Sequence, residues 1–189
     1  MVTVYVALFR GINVGGRNKL PMAELRDVLT DLGLESVGTY IASGNAVFES
    51  DDDALDIAER IEATLPAKFA LDSSLIRVLV LTADQVRAVV DQAPTGFGKD
   101  REKYRFDVVY LLDISSEEAL EKTPTNPEVD TAWAGPGALY YRRLSALATK
   151  SRLGRVVGTP IYANMTIRNW NTATKLVELV DGLKKNGLD

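Results

Sequence analysis

Residues 37–49 read VGTYIASGNAVFE, two short β-prone runs (Val37–Ala42 and Ala46–Glu49) joined by Ser43-Gly44-Asn45. Small turn-forming residues between two extended runs predict a β-hairpin. What flanks the hairpin decides the fold. Before it, Leu25, Val28, Leu29 and Leu32 recur at i, i+3, i+4 and i+7, the buried stripe of a helix that Pro21 opens and Gly33 closes. After it, Asp51–Asp53 place acids at the positive end of a helix carrying Leu55, Ala58, Ile61 and Leu65. Further out, Val2–Phe9 (VTVYVALF) is apolar on both alternating faces and reads as a central strand, and Leu75–Leu81 (LIRVLVL) reads as another strand. The order is β-α-β-β-α-β, the ferredoxin-like arrangement.

The second half repeats this order. Thr82-Ala83-Asp84-Gln85 matches a capping box and starts a connecting helix to about Gln92. Ala93–Lys103, with Pro94, Gly96 and Gly98, reads as a linker. Arg105–Leu112 then predicts a strand and Ser115–Glu121 a short helix, followed by a hairpin of Val129–Trp133 and Ala138–Leu144 around Gly135-Pro136-Gly137. A helix over Leu147–Val157, a strand over Met165–Arg168 and a last helix from Thr172 to about Lys185 complete the pattern. The expected class is α+β: two ferredoxin-like subdomains in tandem, with mostly antiparallel sheets and a C-terminal helix. They occupy residues 1–81 and 104–189, joined by a connecting helix and linker over 82–103.

Composition restricts the chemistry. The 189 residues include neither histidine nor cysteine, which excludes imidazole and thiolate nucleophiles, Ser-His-Asp triads, disulfides and the usual zinc sites. No metal ligand set and no cofactor is implied. The absence of a leader pattern or a long apolar run makes a cytoplasmic protein with no membrane partner the expectation. A net charge of -4 argues against coating nucleic acid by bulk charge. The charge is uneven, however. Residues 1–95 hold 8 Lys+Arg against 14 Asp+Glu, whereas residues 96–189 hold 14 against 12. From Thr131 to Val177 there is no carboxylate, yet Arg142, Arg143, Lys150, Arg152, Arg155, Arg168 and Lys175 lie inside.

Two polar blocks offer a site. In β-α-β-β-α-β the first strand-to-helix loop and the hairpin turn fall at the same end of the sheet. Arg10–Lys19 (RGINVGGRNK) should therefore lie beside Ser43, Gly44 and Asn45. Gly11, Gly15 and Gly16 let backbone amides converge, Arg10, Arg17 and Lys19 supply charge, and Asn13 adds polar atoms, a combination suited to a phosphate or carboxylate. The spacing approaches a P-loop but lacks its Lys and its Mg-binding hydroxyl, and an antiparallel hairpin follows it. The second block is Thr166–Lys175 (TIRNWNTATK), in which Asn169, Asn171 and Thr172 are N-cap candidates and Arg168 and Lys175 could join them around an anion. The competing structural reading makes the glycines and asparagines mere turn and cap residues and Trp170 a core anchor. Tyr104, Tyr110, Tyr140 and Tyr141 could stack on bases, but strand aromatics usually pack inside.

RGINVGGRNKLPMAELRDVL, TYIASGNAVFES and TIRNWNTATKL together resemble the recurring blocks of the DUF1697 family, bacterial proteins of unknown function. The resemblance runs from Tyr5 to Leu179 and is weakest between Arg142 and Gly158. It implies two ferredoxin-like subdomains and brings no activity, cofactor or catalytic residue.

Three functions remain open from the sequence. The favoured one is a binding protein for a phosphorylated or otherwise anionic small molecule or nucleotide, using loop 10–19, turn 43–45 and the 166–175 segment. The others are an RNA-interacting protein working through the basic stretch 131–177, and an enzyme on an anionic substrate that works without His or Cys. Nucleic acid is the less favoured partner, and no catalytic residue stands out.

Overall fold

The computed structural model describes residues 1–13, 16–72, 74 and 76–186. It contains two four-stranded antiparallel sheets. The first comprises β1 (Thr3–Arg10), β2 (Glu35–Thr39), β3 (Asn45–Ser50) and β4 (Arg77–Thr82), in the order β2-β3-β1-β4. The second comprises β5 (Tyr104–Leu111), β6 (Asp130–Gly135), β7 (Ala138–Leu144) and β8 (Met165–Asn169), in the equivalent order β6-β7-β5-β8. Helices α1 (Met22–Asp31) and α2 (Ala54–Phe69) belong to the first sheet and α4 (Ser116–Lys122) to the second. α3 (Ala83–Asp91) follows β4, and α5 (Trp170–Asn186) follows β8. The α+β class and the tandem ferredoxin-like pattern hold.

The chain divides into two compact units, Met1–Val86 together with the residues from Leu176 onward, and Arg87–Lys175. In the first, Tyr5, Ala7 and Phe9 of β1 and Phe48 of β3 pack on Leu25, Val28 and Leu29 of α1 and Ile57, Ile61 and Leu65 of α2. Each of the Val, Leu, Ile and Phe side chains among them, fully buried, contributes about 1.5–3 kcal/mol. Val6 and Leu8, on the other face of β1, are wholly buried too, as its double-sided apolar pattern requires. In the second unit Val109, Leu139, Tyr141 and Met165 pack on Ala119 of α4 and on Leu153 and Val156.

Local chemistry sets the ends of the elements. Asp53 Oδ1 accepts from the Leu55 amide to cap α2. The capping box at α3 is present, with Gln85 N donating to Thr82 Oγ1 (3.2 Å) and Thr82 N to Gln85 Oε1 (2.8 Å). β2 lies earlier than its sequence suggests: Ser36 has φ 51° in a stretch where the register shifts between Glu35 and Gly38, and Ile41 turns left-handed at φ 50°.

Two expectations change. The helix over Leu147–Val157 is replaced by short 3₁₀ turns at Ser145–Lys150, Leu153–Val156 and Pro160–Asn164. Ser151, Gly158 (φ 89°) and Pro160 punctuate the stretch, and Leu153 and Val156, three apart, need only one tight turn to be buried. The segment 93–103 is not a loose linker. Phe97 is buried, its ring 4.9 Å from Phe106, 5.1 Å from Trp170 and 5.3 Å from Tyr140, all in edge-to-face contact.

Candidate functional site

The loop after β1 does meet the hairpin turn, through asparagines. Asn13, itself left-handed at φ 53°, donates from Nδ2 to the carbonyls of Leu20 (2.9 Å) and Ala42 (3.0 Å), and its Oδ1 accepts from the Leu20 amide (2.8 Å). Asn18 Nδ2 donates to Gly11 O (2.8 Å), and its Oδ1 accepts from Asp72 N (2.9 Å). Wholly buried Asn45 donates to Tyr40 O and Ser43 Oγ. A Cβ on Gly44 would lie 2.9 Å from Phe9 Cβ and 2.6 Å from Ile12 Cδ1, so only glycine lets the turn close on the strand. The polar atoms of these asparagines are directed inward, holding the backbone. Arg10 is half-buried at the end of β1, and Gly16, Arg17, Lys19 and Ser43 are exposed. Gly15 lies outside the described residues.

The second block divides between the two faces of its sheet. Arg168 is buried on the Tyr110 face, donating from Nη1 to Thr166 Oγ1 and Ile167 O (both 2.9 Å). Burial pushes its guanidinium pKa down to about 10, against the opposing influence of the Tyr110 and Tyr162 phenols. Asn169 caps α5, its Oδ1 accepting from the amide of buried Thr172 (2.8 Å). Asn171 Oδ1 accepts from Arg101 Nη1 (2.7 Å), and Lys175 is half-buried one turn further on.

Asn169 and Asn171 line a cavity of about 420 Å³ whose charged walls sequence reading did not single out as a site. Arg101, Arg105, Asp107 and Arg143 all line it, and Arg143 and Arg105 are the guanidiniums that act on Asp107. β5 and β7 put Arg105 directly opposite Arg143, and Asp107 lies two residues along β5 on the same face. Arg143 Nη2 donates to Asp107 Oδ2 at 2.8 Å, while its Nε is buried with no hydrogen-bond partner among the described residues. Burial pushes the Asp107 carboxyl up, and the guanidiniums of Arg143 and Arg105 draw it back without cancelling that rise. Arg101 Nε is anchored on Gly98 O at 3.0 Å. Tyr104 and Trp170 are also among its lining residues, their rings packed with Arg142 and Phe97 respectively.

The internal duplication supplies a control. Thr82 and Asn169 each end a last strand and cap the next helix, and they pair with Tyr5 and Asp107 respectively. By that register Thr3 stands where Arg105 does, Tyr5 where Asp107 does, and Ser50 where Arg143 does. Tyr5 meets its own polar demand by donating to Asp52 O at 2.9 Å. The first unit thus makes the same strand pairing without charge at these three positions. The signal present in the sequence is Arg105 and Asp107 at i, i+2 in an otherwise apolar strand, which sets two charges on one face.

The remaining candidates are engaged differently. Tyr110, Tyr140 and Tyr141 are buried, leaving Tyr104 as the half-exposed member of the four. Within the basic stretch, Arg142 lies over the rings of Tyr104 (4.6 Å) and Trp133 (5.3 Å), and Arg152 Nη1 donates to Thr125 O. Among the described residues no cluster of carboxylates could hold a metal ion, and no helix is long and apolar enough to cross a membrane.

The chain is similar in structure to the conserved bacterial protein SP0830 from Streptococcus pneumoniae, with TM-score 0.79 and 28% sequence identity over 95% of this chain and 99% of that one. No curated protein matches it. The sequence profile of the proteins of unknown function termed DUF1697 matches residues 2–141, which includes Arg101, Arg105 and Asp107 and ends just before Arg143. With most of its length matched, the chain belongs to the DUF1697 family.

Proposed function

We propose that this protein binds an anionic small molecule, and that the second unit holds it between Arg105 and Arg143. One observation carries the reading: two arginines stand directly opposite each other, beside a ligand-sized cavity, at positions the sister unit fills with Thr3 and Ser50. Like charges opposed across a ladder are unfavourable by themselves, and an anion between them reverses the sign. Asp107 neutralises part of this charge and orients Arg143, leaving the set net cationic.

The test is thermal unfolding of the full chain in phosphate, pyrophosphate and sulfate at constant ionic strength. At a hundred times Kd a ligand stabilises by about 2.7 kcal/mol, which raises Tm by roughly 5–11 °C in a chain of this size. Arg143→Ala should abolish the rise. Absence of a rise with every anion, or a rise that Arg143→Ala leaves intact, would count against the proposal.

A further inference from the structure

Resting on that reading, we infer that the anionic ligand is a sugar phosphate, its phosphate between Arg105 and Arg143 and a sugar hydroxyl between Asp107 and Asn169. The register places all four side chains on one face of the second sheet. Arg105 pairs with Arg143 across β5 and β7, Asp107 pairs with Asn169 across β5 and β8, and Arg105 and Asp107 are two residues apart on one strand. All four line the cavity of about 420 Å³, which is of small-molecule size and far larger than a bare phosphate fills.

The hydrogen bonds already made determine what the second pair can read. Asn169 Oδ1 is taken by the Thr172 amide at 2.8 Å, which fixes the orientation of the side-chain amide and leaves its Nδ2 as a donor. Asp107 Oδ2 is taken by Arg143, which leaves Oδ1 as an acceptor. A hydroxyl accepts one hydrogen bond and donates another, so it answers both. An ammonium would satisfy Asp107 but not the Asn169 donor, and a second anionic group would be repelled by the carboxylate.

Spacing and charge fit as well. Two residues along β5 is about 7 Å, the separation of a sugar's phosphate from hydroxyls on the far side of its ring. Among the lining residues, three guanidiniums and one carboxylate leave two positive charges, the complement of a phosphomonoester dianion. In the first unit Tyr5 and Thr82 stand where Asp107 and Asn169 do. There the Tyr5 hydroxyl donates to Asp52 O and Thr82 Oγ1 accepts from Gln85 N, so that pair is engaged within its own unit.

Calorimetric titration of the full chain with ribose 5-phosphate, glucose 6-phosphate, propyl phosphate, inorganic phosphate and ribose tests this. A hydrogen bond to a charged group is worth roughly tenfold or more in affinity, so at least one sugar phosphate should bind about tenfold tighter than propyl phosphate. Ribose alone should bind far more weakly than that sugar phosphate. Asn169→Ser keeps a side-chain oxygen to cap α5 and removes Nδ2, so it should narrow the ratio to about threefold or less. A ratio left intact by Asn169→Ser would overturn the assignment of the hydroxyl to this pair. If neither sugar phosphate binds the unaltered chain more tightly than propyl phosphate does, the inference falls and the anion site stands. If none of the phosphates binds, both fall. The ligand series on the unaltered chain gives this answer even if the Asn169 variant fails to fold.

Discussion

Arg105 and Arg143 are direct partners across the β5–β7 ladder, and Arg143 reaches Asp107, two residues along, at 2.8 Å. The arrangement is electrostatically incomplete. Asp107 pairs with Arg143, Asp130 stands opposite Arg143 on β6, and the Arg143 Nε is buried without an acceptor among the described residues. The equivalent residues of the first unit, Thr3 and Ser50, pair without any such tension. The first unit therefore reaches the same strand pairing with neutral residues where the second carries charge.

Removing one member of the pair should therefore separate stability from binding. Arg105 is exposed, so Arg105→Ala should leave the unliganded chain as stable or up to about 1 kcal/mol more stable, by relieving like-charge opposition. The stabilisation conferred by phosphate should fall sharply in the same variant. Urea denaturation with and without phosphate measures both. A variant destabilised by several kcal/mol without ligand would show Arg105 to be a structural residue.

The proposed anion binding should depend on pH through Asp107. Its carboxyl is raised by burial above the ordinary value of 3.8. Above that raised pKa it is ionised and occupies Arg143. As pH falls through it, protonation frees the guanidinium, so sulfate, whose charge is constant in this range, should bind more tightly below the raised pKa than above it. Stability follows the same sign: a raised folded-state pKa contributes stability fully present below 3.8 and lost as pH rises through the folded value. Asp107→Asn should abolish its share of both dependences, read as the difference between the two proteins in titrations taken from neutral pH downward. Sulfate affinities that change with pH identically in the unaltered chain and in Asp107→Asn would contradict the competition.

Much of the fold was legible because it rests on local signals. Helix stripes flanking residues 37–49, the acids before α2 and the Thr82–Gln85 box each specify an element without distant partners. The meeting of loop 10–19 with turn 43–45 was legible as well, since topology alone requires it. The site was not, for the opposite reason. Arg105 and Arg143 are 38 positions apart and become neighbours only through the register of β5 and β7, which the apolar pattern of those strands does not number. The glycine- and asparagine-rich loop carries the denser polar pattern in sequence, yet its asparagine side chains are spent on backbone groups of the loop and its neighbours. Phe97 was overlooked because Pro94, Gly96 and Gly98 around it read as a linker, whereas those residues shape the turn that delivers its ring to the core.

Phe97→Ala should cost about 3–5 kcal/mol, the usual range for a phenylalanine removed from a packed core. Four ring neighbours, Phe106, Trp133, Tyr140 and Trp170, lose their common partner. Limited proteolysis should then cut within residues 93–103, a segment resistant in the unaltered chain. Cleavage there at equal rates in both proteins would mean that the segment is not anchored by this ring.

The loop of the first unit supplies the opposing test. Asn13→Ala leaves the Leu20 amide and the carbonyls of Leu20 and Ala42 without their partner, and alanine tolerates φ 53° poorly. The expected loss is about 1–3 kcal/mol of stability, with no change in phosphate affinity once the protein is folded. Arg17→Ala, at an exposed position, should change stability by less than about 0.5 kcal/mol and leave phosphate affinity untouched. Chemical denaturation and calorimetric titration of the two variants read these quantities directly. Should Arg17→Ala erase phosphate binding while Arg143→Ala does not, the anion would belong to the loop of the first unit, and the charged pair on β5 and β7 would need a different purpose.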